Sequence, residues 1–407
     1  MIWVSRVSVI LIVLIVTACT KAPEPPPPAS EVDRAALQTC LHGDRSAANR
    51  SAVISACGTA IASQTLTNDE RHQARRARAG LYVLDKRYQD AIAEYTRVVQ
   101  DNPRDDVALK SLGDLLRQGG KCALSIPYYD RAVRSNPKYA DAFSARGDAY
   151  RCTGDDQNAI ADYTQAIALE PRNTDLIVKR GEAYADSGQP DAAVADFTAA
   201  IAAQPRASVY LARGRLYLAQ GHDDLALPDL ENVLRSEPRN SDALYLRGRI
   251  HFNQQDYSAA IADFDRAVQI NHRSASAFDA RGDAHMRQNQ NDQALQDYSQ
   301  AIAIEPRMAR AYEHRARLYR QTGHYDQAIQ DYSKAIQLTP HDADAFVGRA
   351  RVYMSRGLYE SAIQDYAAAS RIAPDNAEIA RDLHQATVEK DKQDVARKLS
   401  VESHVTN

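Results

Sequence analysis

The 34 residues Ala140–Asn173, ADAFSARGDAYRCTGDDQNAIADYTQAIALEPRN, recur along most of the chain and confine it to one kind of architecture. Small residues stand at Gly147, Ala159 and Ala166, aromatics at Tyr150 and Tyr163, and Pro171 closes the unit. A shift of 34 returns the same marks at Gly181, Tyr184, Ala193, Phe197, Ala200 and Pro205, and later at Gly248 and Gly282. Gly214 comes one residue early, Ala316 and Ala350 replace the glycine, and Gly113 and Ala79 carry the series backwards. Nine copies result, over residues 72–376.

Within a copy, Phe143, Gly147 and Tyr150, and then Ala159, Ile160, Tyr163, Ala166 and Ile167, keep helical intervals of three and four. The break at Thr153–Gly154 separates two antiparallel helices, A and B, and Pro171 stops the second. One such pair cannot bury its apolar face alone, so the copies must stack into an all-α solenoid.

The pattern RGxAYxxxGxYDxAIxDYxxAIxLxP resembles the tetratricopeptide repeat (TPR) family, over roughly three quarters of the 407 residues. That resemblance implies a right-handed superhelix of antiparallel helix pairs, with helix A lining a concave, protein-binding face. Local departures are Leu230 for the helix B aromatic, His272 for the closing proline, and Lys86, Gln255 and Asn289 for the A–B turn glycine. Pro127 and Pro228 share one helix B position, where a late start or slight bend is expected. Residues 31–71 read as a degenerate helix pair ahead of the array. Residues 377–407 read as a capping helix, with Ile379, Leu383 and Ala386 on one face, followed by a fraying tail from Lys392.

The first 30 residues have a different character. One cation in Met1–Arg6, the apolar run Val7–Val16 and the small residues before Cys19 form a secretion signal over residues 1–18, short for a membrane span. Ending on cysteine, it is similar to bacterial lipoprotein signals. The similarity implies an acylated (palmitate-bearing) Cys19 and a lipid anchor in the cell envelope. Within that similarity, Thr20 rather than Asp after the cysteine implies the outer membrane, facing the periplasm, under the enteric sorting rule. Residues 19–30 then form a lipidated, proline-rich linker, with five prolines in Lys21–Ser30 extending it as a spacer.

Cys40, Cys57, Cys122 and Cys152 remain, an even number. Three pairings exist, and the helical register favours Cys40–Cys57 across the degenerate pair and Cys122–Cys152 between a helix B start and the following helix A end. The chain lacks a Cys-x-x-Cys, so redox catalysis is not expected.

Arginine recurs at the seventh position of the copies (Arg78, Arg146, Arg180, Arg213, Arg247, Arg281, Arg315, Arg349). An acid recurs at the twenty-third (Glu94, Asp162, Asp196, Asp229, Asp263, Asp297, Asp331, Asp365). The copy with Leu112 in place of the arginine has Tyr128 in place of the acid, which predicts that the two groups meet. His251 and His285 are expected to be core histidines rather than metal ligands.

Family geometry points positions 2, 5, 9, 12 and 13 into the concave face. At the ninth position the series Asp114, Asp148, Glu182, Arg215, Arg249, Asp283, Arg317, Arg351 changes sign along the groove. The candidate partner-binding residues are Arg215, Leu218, Tyr245, Arg249, Phe252, Arg287, Arg310, Arg317, Arg320 and Arg351. Aromatic and arginine side chains are the usual anchors of protein interfaces, and charge sets register and approach. An extended or helical partner segment is expected, its acidic part towards the C-terminal half. The asparagine and lysine pattern of carboxylate-clamp TPRs is absent.

A net charge of −3 supplies no electrostatic reason for a nucleic-acid partner. Neither a phosphate loop, a His-Glu-x-x-His motif nor a nucleophile elbow occurs, and helix pairs account for the chain beyond the linker. The expected function is therefore a non-enzymatic, lipid-anchored adaptor for an envelope protein, with no cofactor and no small-molecule substrate. Lipoproteins with similar repeats serve outer-membrane assembly, pilus or secretion biogenesis in pilotin-like roles, and docking of cell-wall enzymes.

Overall fold

Helical pairs dominate the computed structural model, which describes residues 30–405. The expected signal peptide, Cys19 and the proline run fall in residues 1–29, outside the described residues. Among the described residues there are 21 α-helices and no strand. None of those helices is long and apolar enough to cross a membrane.

Two compact units divide the chain, Met1–Leu176 and Ile177–Asn407. The first holds α1 (Glu31–His42), α2 (Arg50–Ala62), α3 (Asn68–Leu84), α4 (Tyr88–Asp101), α5 (Asp106–Gln118), α6 (Cys122–Ser135), α7 (Ala140–Cys152) and α8 (Asp156–Leu169). α9 (Thr174–Asp186) straddles the division. The second continues with α10 (Pro190–Ala203), α11 (Ala207–Ala219), α12 (Asp223–Ser236), α13 (Ser241–Asn253), α14 (Tyr257–Ile270) and α15 (Ala275–Arg287). It ends with α16 (Asn291–Ile304), α17 (Ala309–Gln321), α18 (Tyr325–Leu338), α19 (Ala343–Ser355), α20 (Tyr359–Ile372) and α21 (Ala377–Val405). In each unit consecutive helices pack pairwise, and helix A of one copy also touches helix A of the next, as α5 does α7 and α15 does α17.

Close approach of the helices explains the small residues. A Cβ on Gly147 would come 2.8 Å from the Tyr163 ring, and one on Gly248 would come 2.6 Å from Phe264. Where Ala316 replaces that glycine, space is made at Gly348 instead, since a Cβ there would overlap the Tyr332 ring. The A–B turn keeps one conformation throughout. Lys86 (φ 58°), Gln255 (φ 65°) and Asn289 (φ 60°) adopt the same left-handed backbone as Gly154 (φ 78°), at a local cost of about 1 kcal/mol each.

The repeated arginine and acid meet in every copy that carries them. In seven copies, Arg146 to Arg349, Nε and Nη2 both donate to the carboxylate of the partner aspartate at 2.5–2.9 Å. Arg78 pairs with Glu94 through Nη2 alone, its Nε being left without a hydrogen-bond partner among the described residues. The third donor often reaches back to the preceding copy. Arg146 Nη1 donates to Asp130 at 2.7 Å, Arg281 Nη1 to Asp265 at 2.7 Å and Arg349 Nη1 to Ser333 at 2.8 Å. Tyr150, Tyr217 and Tyr353 lie under the ladder arginines. His251 and His285 take the same place, each with Nε2 3.8 Å from its own copy's aspartate. They are thus partly buried companions of the ladder.

Two boundaries differ from expectation, and at the shared helix B proline a late start is excluded. α3 starts at Asn68 rather than residue 72, because Thr67 and Glu70 cap it reciprocally: Thr67 Oγ1 accepts from the Glu70 N–H and Glu70 Oε2 from the Thr67 N–H at 2.8 Å. α6 and α12 begin at Cys122 and Asp223, with no late start at Pro127 or Pro228. Each proline sits early enough to forfeit a single backbone bond, while Ser125 and Ala226 in the first turn are buried. α21 runs on to Val405 instead of fraying at Lys392. Ile379 and Ala386 bury its first half, and Lys390–Asp394 (3.1 Å), Lys390–Glu360 (3.3 Å) and Lys392–Glu389 (2.9 Å) carry the helix onward.

Both disulfides lie in the first unit. Cys40 and Cys57 are fully buried and joined between α1 and α2, Cα–Cα 4.7 Å. Cys122 and Cys152 join the start of α6 to the end of α7, Cα–Cα 6.1 Å.

Candidate functional site

Helix A side chains line two adjoining hollows in the second unit, and Tyr245 and Arg249 of α13 form the wall between them. The larger, about 400 Å³, also takes in Arg215, Leu218, Asp242 and Leu246. The smaller, about 180 Å³, is completed by Phe252, Phe264, Asp279, Asp283 and Arg310. Of the expected groove residues, Arg215, Leu218, Tyr245, Arg249, Phe252 and Arg310 thus come together. Arg287 and Arg317 line a separate hollow of about 640 Å³ with Met286 and Gln321. Arg320 stands beside the Tyr332 hydroxyl.

Helical spacing produces the aromatic part. Tyr245 and Phe252 lie two turns apart on α13 and face the same way. Tyr245 packs against Phe264 with ring centroids 6.0 Å apart, and Phe252 meets Tyr257 edge-on at 5.4 Å. The guanidinium of Arg249 lies 6.0 Å from the Tyr245 ring centre and that of Arg287 6.0 Å from Phe252. Two rings each carry a cation over one face, an arrangement that also suits a third flat or apolar group.

Charge is less one-sided than the ninth-position series suggests. Arg215 pairs with Asp242 at 2.5 Å, and Arg310 Nε with Asp279 at 2.9 Å. Arg351 is held by Glu378 and Asp382 of the terminal helix, at 2.6 and 3.1 Å. Those three cations are answered inside the protein. Arg249, Arg287 and Arg317 make no ion pair with another described residue, and all three are exposed. In the first unit the acids are committed as well. Asp114 accepts from the Tyr129 hydroxyl at 2.8 Å and pairs with Lys110 at 2.9 Å, and Asp148 accepts from Tyr163 at 2.8 Å.

Two residues that sequence reasoning passed over stand here, Asp279 in the lining of the smaller hollow and His314 against Asp279 and Asp283. Asp279 of α15 is 1% exposed although its side chain is a carboxyl group. His314 of α17 places Nδ1 3.0 Å from Asp279 and 3.2 Å from Asp283. Burial holds the Asp283 carboxyl above its ordinary range, and the same burial, with Asp283 alongside, raises the Tyr298 phenol, which donates to Asp283 Oδ1 at 2.7 Å. The Asp279 hydrogen bond and the two neighbouring carboxylates outweigh burial and raise the His314 imidazole. Next to it, burial and then Asp342 push Glu313 up to about 7. A signal existed: other copies carry Ser144, Val178, Leu211 and Tyr245 at the place of Asp279, and Ala145, Ala212 and Ala280 at that of His314.

A family model described as tetratricopeptide repeat matches residues 111–174, 178–229, 211–276, 280–343 and 315–377, well over half of the chain. No curated protein matches it. A solved tetratricopeptide repeat protein from Parabacteroides merdae is similar over 61% of this chain and 98% of its own, at 23% identity and TM-score 0.51. The APC/C hetero-tetramer Cut9–Hcn1 is similar over 78% of this chain, at 18% identity and TM-score 0.50. The match covers 62% of that solved chain, less than two thirds of its length. At such identities the likeness is one of fold.

Proposed function

The chain belongs to the tetratricopeptide repeat family, whose stacked helix pairs serve as protein–protein interaction scaffolds, and we propose that this member is a lipid-anchored adaptor of a bacterial envelope. Its partner is a protein segment that carries carboxylates beside an apolar or aromatic side chain. The supporting observation is the set Arg249, Arg287 and Arg317, three exposed cations without ion-pair partners among the described residues, two of them stacked on the rings of Tyr245 and Phe252. A segment lying there places its apolar group against the rings and its acids against the guanidinium groups, which are the usual anchors of interfaces.

A fluorescent peptide with glutamates around a central phenylalanine, set against its lysine counterpart, tests this. The acidic peptide should bind, more weakly as salt rises. Changing Arg249, Arg287 and Arg317 together to Glu should weaken it at least tenfold while the far-ultraviolet circular dichroism stays unchanged. Equal binding of both peptides, or binding untouched by the triple reversal, would place the interaction surface elsewhere.

Anchoring rests on the order of residues from Met1 to Cys19, and the two disulfides are in keeping with an oxidising compartment such as the periplasm. The outer membrane, facing the periplasm, is the proposed location. Cys19→Ser should abolish incorporation of labelled palmitate and release the protein from the membrane fraction. A labelled Cys19→Ser protein would refute acylation at this residue.

A further inference from the structure

Asp279 and Asp283 lie one turn apart on α15, so their carboxylates share a face, and His314 enters from α17, helix A of the following copy. One ligating atom from each falls within 4.8 Å of the other two, the only such group among the described residues. The edges from His314 Nδ1, 3.0 Å to Asp279 Oδ1 and 3.2 Å to Asp283 Oδ1, suit a metal ion. A tetrahedral ion with bonds near 2.0–2.1 Å separates its ligands by about 3.3 Å.

We infer that Asp279, Asp283 and His314 form a binding site for a divalent transition-metal ion of the zinc type, with its fourth position open to the hollow beside Tyr245 and Phe252. Two carboxylate oxygens and an imidazole nitrogen lie within 4.8 Å of one another. A proton there belongs to a single atom at a time, whereas a doubly charged ion bonds all three. Mixed nitrogen and oxygen donors suit zinc and its neighbours rather than calcium, which takes six to eight oxygens.

The surroundings supply what such a site needs. Arg310 Nε holds the outer oxygen of Asp279 at 2.9 Å, which orients that carboxylate from behind, and the Tyr298 hydroxyl fixes Asp283 by donating at 2.7 Å to Oδ1, the oxygen that faces His314. Asp279 is 1% exposed at a place where other copies put Ser144, Val178 or Leu211, and a carboxylate buried so deeply calls for strong compensation. The site does not depend on the partner segment proposed above.

The full chain, stripped with chelator, should take up one equivalent of Zn²⁺ by titration calorimetry. Co²⁺ should give the intense visible absorption of a four- or five-coordinate ion, and Zn²⁺ should raise the thermal unfolding midpoint. His314→Gln, which keeps a polar side chain of similar reach, should weaken Zn²⁺ binding at least thirtyfold with the helical circular dichroism retained. Asp283→Asn should do the same. Absence of stoichiometric Zn²⁺ uptake and of the Co²⁺ spectrum in the wild-type protein would overturn the assignment. So would binding of undiminished strength in His314→Gln, which would put the ion on other histidines. Should one variant unfold, the other gives the same reading, and the wild-type Co²⁺ spectrum reports the low coordination number.

Discussion

Asp263→Ala should cost the second unit about 3 kcal/mol, more than the double replacement Arg247→Leu with Asp263→Ala. The pair is largely withdrawn from water, with side-chain exposures of 23% for Arg247 and 6% for Asp263. Deleting the acid alone strands a guanidinium that has lost both of its hydrogen bonds, and breaking a buried pair in this way typically costs about 3–5 kcal/mol. The lower end applies because Arg247 keeps some contact with solvent. Removing both partners takes away the stranded charge, and the chain already contains that solution. Leu112 and Tyr128 stand at the two places in another copy, and both pack into apolar clusters. Urea denaturation of the full chain is the suitable measurement, since guanidinium salts screen the pair. Equal losses in the single and double variants would contradict the coupling.

Replacing Cys122 and Cys152 together by Ala should lower the stability of the first unit by roughly 3–4 kcal/mol, the chain-entropy expectation for a closed loop of 30 residues. The Cys40–Cys57 bridge closes 17 residues, so its removal should cost about 3 kcal/mol on the same reasoning. Reductant should lower the urea midpoint of the wild-type protein and leave the double cysteine variants correspondingly less affected. Reductive alkylation checks the premise by mass. Four thiols that react without prior reduction would mean that the bridges do not form.

Much of this structure was legible because it repeats. Nine versions of one helix pair show which positions are small, aromatic or charged, and a joint departure such as Leu112 with Tyr128 reveals a contact that no single copy could. The same habit hid what occurs once. The cap at Thr67 was written in Thr67 and Glu70, yet it lies ahead of the repeating pattern. The length of α21 depends on ion pairs, one of them to Glu360 of α20, which lies outside its own sequence. In the candidate site, Tyr245, Arg249 and Phe252 follow from helical position alone. Whether an arginine is free or spoken for does not, because Arg351 finds its carboxylates on the terminal helix and Arg310 on the previous copy. Asp279 and His314 were visible only as breaks with the rule of the array.

The copy that lacks the arginine–acid rung contains α6, and α6 is the helix whose first residue is bonded through sulfur to the end of α7. A covalent brace therefore begins where the electrostatic lacing is interrupted. Breaking that sulfur link leaves this copy with neither the brace nor a rung of its own, held by packing and by contacts such as Arg146–Asp130 and Lys110–Asp114, while its neighbours keep their clasped charges. Thiol chemistry, rather than salt or acidity, then governs where the first unit begins to come apart, and amide exchange under mild reductant should open earliest along α5 and α6.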